Sequence, residues 1–230
     1  LPTVAFVSPK GGAGKTTAAL LLALGLAEQG RQVAMIDADP NRPLVAWWNL
    51  PNRPLRISVH AAPFQGDLPD ALREAKAKKA DWIILDTEGS ARQGIAFTAV
   101  APDLVITPLA ASPLEAAQAM KAGEMVRDAA MKMRRKVVHA CLLTRLPAAI
   151  RPKSVKQVVE QLRTAGMEIL PTPIIEKEAF RTLFAIGGGF DALERHGAYG
   201  VGAARVNAAS YVAAVGELLE RNGVSLERAV

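Results

Sequence analysis

The chain is 230 residues long, half of it hydrophobic, 5% aromatic and 22% charged, a globular balance that excludes disordered and fibrous classes and suits one ordinary α/β domain over residues 1–230. A single cysteine, Cys141, excludes an internal disulfide and offers no paired-thiol spacing for zinc or an iron–sulfur cluster, which points to a reducing compartment. The net charge of +6 is uneven: residues 1–120 hold 11 basic and 11 acidic side chains, residues 121–181 hold 13 and 6, and residues 182–230 hold 4 and 5, as expected of one surface that meets a polyanion.

Apolar stretches alternate with helical patterns from the first residues onward, which predicts βαβ units and a parallel sheet. The first strand, Val4–Ser8, runs into Ser8-Pro9-Lys10-Gly11-Gly12-Ala13-Gly14-Lys15-Thr16-Thr17, and a helix follows over Lys15–Gln29. Gly11, Gly12 and Gly14 let the backbone curl so that several N–H groups face one concavity, and the helix N-terminus adds its positive end. The result is a phosphate cradle. Lys15 would reach the β- and γ-phosphates of a nucleotide, and the Thr16 hydroxyl would sit on the Mg²⁺ that bridges them.

The first glycine of the plain G-x-x-x-x-G-K-[ST] pattern would fall at Pro9, and Lys10 follows it. This K-G-G-x-G-K-T-T form resembles the deviant Walker A box of the ParA/MinD superfamily. The resemblance implies a three-layer P-loop NTPase fold, α/β, with a mostly parallel central sheet flanked by helices. It implies ATP and Mg²⁺ as cofactors, with Lys10, Gly11, Gly12, Ala13, Gly14, Lys15, Thr16 and Thr17 around the nucleotide. It also implies that Lys10 crosses an ATP-sandwich dimer to the partner's nucleotide. A γ-phosphate cation supplied by a second copy makes dimerisation depend on ATP.

The second strand, Gln32–Asp37, ends in Asp37-Ala38-Asp39-Pro40-Asn41, similar to the D-x-D-P switch I of ParA-like proteins. By that resemblance Asp39 orients or activates the attacking water beside the catalytic lysines Lys10 and Lys15, and Asp37 holds the magnesium water shell. Aspartate and proline also end strands in ordinary turns. Trp47 and Trp48 read as packing. A strand over Ile57–His60 and a helix over Asp67–Lys79 precede Trp82–Asp86, an apolar strand that ends in an acid like a Walker B element. Asp86 would contact the metal through water, and Thr87–Gly94 would form switch II. ParA proteins commonly show D-x-P-P there, whereas this chain has Asp86-Thr87-Glu88-Gly89-Ser90.

A strand over Leu104–Thr107 leads to a helix over Ser112–Met133 with a clear start: Ser112 can cap, Pro113 suits the first position and Glu115 completes a capping box. Met120, Met125, Met131 and Met133 on it read as core or interface packing. Then come a strand over Val137–Thr144, a helix over Lys153–Ala165 and a last helix near Arg205–Arg221. Gly187–Gly189, with Gly197, Gly200 and Gly202, reads as a long flexible loop. Lys132 and Arg134–Lys136 complement a helix dipole. ParA-like proteins bind double-stranded DNA without sequence preference through lysines and arginines of the C-terminal half, so Arg151, Lys153, Lys156, Arg163, Lys177 and Arg181 are the expected contacts.

The resemblance thus implies an ATPase of slow, partner-stimulated turnover. ATP drives homodimerisation, the dimer binds nonspecific DNA, and hydrolysis serves to partition or position a plasmid, chromosome or protein cluster. A ParB-like or cargo-adaptor protein would be the partner, and the expected location is cytoplasmic and nucleoid-associated, with no membrane. Asp37–Trp48 looks most like short plasmid-type ParA proteins and their T-DNA-transfer relatives, forms without an N-terminal helix-turn-helix. Two alternatives share the fold. A MinD-like membrane-associated positioning ATPase needs a basic amphipathic C-terminal helix, whereas Glu217–Val230 carries no aromatic residue. A dethiobiotin-synthetase-like metabolic enzyme has no evident need of Lys10.

Overall fold

The computed structural model describes residues 1–8, 11–88, 101–146 and 153–226. Seven strands, β1 (Thr3–Phe6), β2 (Val33–Ala38), β3 (Ile57–Ala61), β4 (Trp82–Thr87), β5 (Leu104–Leu109), β6 (Val138–Leu143) and β7 (Glu168–Ile169), form one sheet in the order β3-β2-β4-β1-β5-β6-β7. Every pairing among them is parallel. The helices among the described residues are α1 (Lys15–Glu28), α2 (Pro43–Trp48), α3 (Leu68–Ala77), α4 (Pro113–Met133), α5 (Lys153–Thr164), α6 (Glu178–Ile186), α7 (Phe190–Arg195) and α8 (Val201–Arg221).

Strand alternation divides the core into two layers. Val4, Phe6, Met35, Ile84 and Ile106 pack with α1, α2 and α6 to α8, whereas Ala5, Val7, Ile36, Leu85 and Val105 pack with α3 and α4. Because both faces are covered, the inner strands read as unbroken apolar runs rather than as polar–apolar alternation. Helix α1 is apolar on every side for the same reason: Ala18–Leu26 is wholly buried between the sheet and α8. A Cβ on Gly25 would stand 2.6 Å from Val212 Cγ2, so this glycine sets how closely α1 and α8 approach. Cys141 is buried in β6, and burial pushes its thiol up to about 12, which leaves it unreactive.

The structure corrects the sequence at several places. The glycine-rich stretch is helical rather than a long loop: Gly187 ends α6, Gly189 begins α7, Gly200 caps α8 and Gly202 lies inside it. Gly187, Gly197 and Gly200 have positive φ at or next to helix ends, where glycine is favoured, and the last helix starts at Val201 rather than near Arg205. The short elements α2, β7, α6 and α7 were not expected. Half of the capping box forms: Ser112 Oγ accepts from the Glu115 N–H at 3.2 Å, but the Glu115 carboxylate turns to the Ala110 N–H. Met125 and Met131 are exposed, whereas Met120 and Met133 pack against the core. Trp47 is buried, as packing requires.

Gly187 has φ +76° and ψ −174°, a region that glycine alone enters readily. A Cβ there would also meet Leu50 Cβ at 2.5 Å and the Pro51 carbonyl oxygen at 2.7 Å. Gly187→Ala is therefore expected to lower stability by roughly 2–4 kcal/mol in urea denaturation. Gly197→Ala, at φ +74° with open space around it, should lose only about 1 kcal/mol. Equal losses would show that strain alone, and not the contact with Leu50 and Pro51, sets the effect.

Candidate functional site

β1 lies between β4 and β5; after β1 the chain runs out through β2 and β3 on one side, returns to β4 next to β1, and then runs out through β5, β6 and β7 on the other. In such sheets a crevice opens at the carboxyl ends of the strands where the order reverses, and the glycine loop follows β1 at that point. Gly12 (φ +82°) and Gly14 (φ +91°) are both left-handed, so the backbone itself requires two of the three glycines. Gly14 caps α1, and its carbonyl accepts from the Ala18 N–H at 2.9 Å. Having no side chain, it leaves the first N–H groups of the helix for a ligand.

Lys15, the first residue of α1, is only 7% exposed. Asp86, near the end of β4, stands opposite Phe6 on one side and Asp37 on the other. It is fully buried, and neither carboxylate oxygen has a hydrogen-bond partner. Burial pushes its pKa up to about 7; Thr16 and Lys15 pull it down, whereas Asp37 and Asp39 push it further up. The Thr16 hydroxyl thus lies within electrostatic reach of Asp86 but outside hydrogen-bond geometry. Two orphaned, all-oxygen donor atoms beside a helix-start threonine fit a hydrated Mg²⁺, which takes hard ligands and keeps several waters.

The two switch I aspartates are held differently from each other. Asp37 is buried, and its Oδ2 accepts from the Val45 N–H at 2.9 Å while its Oδ1 accepts from the Asp39 N–H at 3.3 Å. It therefore ties α2 to the end of β2, a structural duty compatible with a water-mediated role at the metal. Burial raises its pKa, and these backbone donors oppose that shift. Asp39 is half-buried, and its Oδ1 accepts from both the backbone N–H (2.8 Å) and the side-chain amide (3.0 Å) of Asn41. A cavity of about 390 Å³ opens beside Gly14 and Thr17, walled by Thr144, Arg145, Glu176, Lys177, Phe180 and Arg181.

The fold thus brings Gly11 to Thr17, Asp37, Asp39 and Asp86 to one end of the sheet. Lys10 and Arg151 lie outside the described residues, as does most of switch II. Lys153, Lys156 and Arg163 are exposed on α5, whereas Lys177 and Arg181 wall the cavity next to the phosphate loop. Arg181 is held by Glu176 and Glu178, each at 2.8 Å. Arg134–Lys136, between α4 and β6, lie at the opposite, amino end of the strands. The charge excess of the sequence is therefore spread over both ends of the sheet, because a βα chain returns to each end in turn. Thr144 and Arg145 were missed as site residues; their place beside the loop follows from the pairing of β5 with both β1 and β6, which spacing does not reveal.

The profile of the VirC1 protein family matches residues 1–223. The chain belongs to this family. The ParA/MinD superfamily resemblance of the loop agrees with it, and so do the relatives. Protein ParA of Rhizobium radiobacter is 30% identical over 194 residues, covering 84% of this chain and 87% of that protein. Protein virC1 of the same organism is 29% identical over 187 residues, covering 77% and 78%. The solved structure of an ATP complex of Cyanothece McdA superposes with a TM-score of 0.70 at 18% identity, covering 94% of this chain and 96% of that one, a likeness of fold. In a VirC1 family member, then, the parallel sheet and its glycine loop agree with the superfamily, and the buried Asp86 stands near that loop at the end of β4.

Proposed function

We propose that the chain is a single-domain P-loop ATPase that works as a positioning switch: ATP with Mg²⁺ drives homodimerisation, the dimer binds double-stranded DNA without sequence preference, and hydrolysis releases it. The observation that carries this reading is Asp86, buried with both oxygens unpartnered beside Lys15, Thr16 and Asp37. A carboxylate kept in that state is poorly explained by folding alone, and a phosphate-bound Mg²⁺ would satisfy it. In this reading Lys15 holds the β- and γ-phosphates, Thr16 and Asp86 hold the metal with Asp37 through water, and Asp39 orients the attacking water. When bound, the metal neutralises charge that develops on the phosphates. Lys10 acts across the dimer. The similarity to ParA and virC1 supports a cargo on DNA, delivered through a ParB-like or adaptor protein at the nucleoid, in the cytoplasm.

For DNA the favoured contacts are Lys153, Lys156 and Arg163, which are exposed on α5 and make no ion pair among the described residues, with Arg151 beside them in sequence. Lys177 and Arg181 would join them from the rim of the nucleotide cavity. ATP with Mg²⁺ is expected to raise affinity for random duplex DNA at least about tenfold over ADP, with a steep decline as salt rises. Lys10→Ala should still bind ATP but lose both dimerisation in size-exclusion chromatography and turnover. Equal turnover in Lys10→Ala would defeat the sandwich dimer, and DNA binding indifferent to ATP would defeat the switch.

A further inference from the structure

β6 ends at Leu143, and the next two residues turn back onto the phosphate loop. The buried Thr144 hydroxyl donates to the Ala13 carbonyl at 2.9 Å. A Cβ placed on Gly14 would lie 3.5 Å from the same Thr144 oxygen, so strand end and loop are in contact. Arg145 then adopts a left-handed backbone, φ +56°, which is uncommon for a residue with a long side chain and persists where the surroundings impose it. The guanidinium lies over the loop: its Nη2 is 4.0 Å from where a Cβ on Gly12 would stand.

The charges around this concavity are one-sided. Arg145 makes no ion pair among the described residues, and Glu176, the acid in the cavity wall, is held by Arg181 at 2.8 Å. The Arg145 guanidinium and the positive end of α1 therefore both face the loop from the cavity side, where the wall's acid is already held by Arg181, an arrangement that an entering anion relieves. The planar fork of a guanidinium matches phosphate oxygens two at a time.

We propose that Arg145 is an intramolecular phosphate clamp: it closes on the nucleotide's phosphates from the β6 side of the loop, and Thr144 is the positioning residue that pins the strand end to Ala13. The clamp rests on the nucleotide reading of the loop. It is distinct from stacking on a base, where the gain in affinity would not depend on how many phosphates the ligand carries.

Calorimetric titration of adenosine, ADP and ATP with Mg²⁺ into wild type, Arg145→Ala, Arg145→Lys and Thr144→Val separates these roles. Arg145→Ala should weaken ADP and ATP about 10–100-fold while changing adenosine less than about threefold. Arg145→Lys should recover part of the loss, and Thr144→Val should show a weaker version of the same pattern, with apo melting temperatures confirming that each variant folds. Equal losses for adenosine and ATP, or no loss for any ligand, would overturn the clamp. A wild-type protein that binds ATP no better than adenosine would instead overturn the nucleotide reading itself.

Discussion

Lys15→Ala is expected to abolish the response to ATP and to leave the fold standing. Lys15 is the one cation of the loop among the described residues, and it is buried at the first position of α1. Its removal touches neither the left-handed turns at Gly12 and Gly14 nor the contact between Thr144 and Ala13, so the cradle keeps its shape and its N–H groups. What disappears is a largely buried ammonium, the group that in the proposed function meets two phosphate groups. Charge-assisted contacts of this kind are worth about 1.5–3 kcal/mol each, so losing two should lower ATP affinity about 10²–10⁴-fold and hydrolysis should drop below detection. A thermal-shift titration reads this directly. At 100 times its Kd, ATP adds about 2.7 kcal/mol to wild type, and the same concentration should add almost nothing to the variant. An undiminished ATP shift would remove the loop from the site.

This prediction rests on residues that were legible in the sequence, and the contrast with the others is physical. The glycine loop is local: glycine spacing, a preceding apolar strand and Gly14-Lys15-Thr16 define it without knowledge of neighbours. Asp86 was legible for a similar reason, since Trp82–Asp86 is apolar up to its final acid, and β4 spans Trp82–Thr87. Long-range terms decided the rest. Helix α2 stayed hidden because its first turn is organised by Asp37, whose carboxylate reaches the Val45 N–H, while Asp37-Ala38-Asp39-Pro40 reads locally as a turn. The glycines from Gly187 to Gly202 carry the flexibility signal of a loop, yet Gly187 and Gly188 pack against Leu50, Pro51 and Asn52, so each closes a helix end in a fixed place. Thr144 and Arg145 became site residues only because β5 lies between β1 and β6. Within the basic stretch, Arg134–Lys136 precede β6 at the amino end of the strands, whereas Lys177 walls the cavity at the carboxyl end, a division that charge counting does not reveal.

Asp86→Asn tests the buried carboxylate of β4 through stability as well as function. Asp86 is fully buried with neither carboxylate oxygen in a hydrogen bond, and burial pushes its pKa up to about 7 from an ordinary 3.8. The unfolded chain therefore ionises this group between pH 4 and 7 while the folded chain resists, so the folded state binds the extra proton. Stability is then highest below the unfolded pKa and falls as pH rises toward 7, by about 4 kcal/mol in total. The substituted amide cannot ionise, so the variant should lack this decline and, at pH 8, melt above apo wild type. Because that amide is itself left unsatisfied, part of the gain is offset, which leaves a difference of about 1–3 kcal/mol. Magnesium with ATP should reverse the ranking. A divalent cation next to the carboxylate repays the ionised form that apo burial penalises, so wild type gains stability with Mg²⁺·ATP over ATP in EDTA, and the variant gains little. Parallel denaturation curves at pH 5, 6.5 and 8, with and without Mg²⁺·ATP, measure both effects. If wild type and variant show the same pH slope, Asp86 is not the group that resists ionisation, and if both respond equally to Mg²⁺ the metal is held elsewhere.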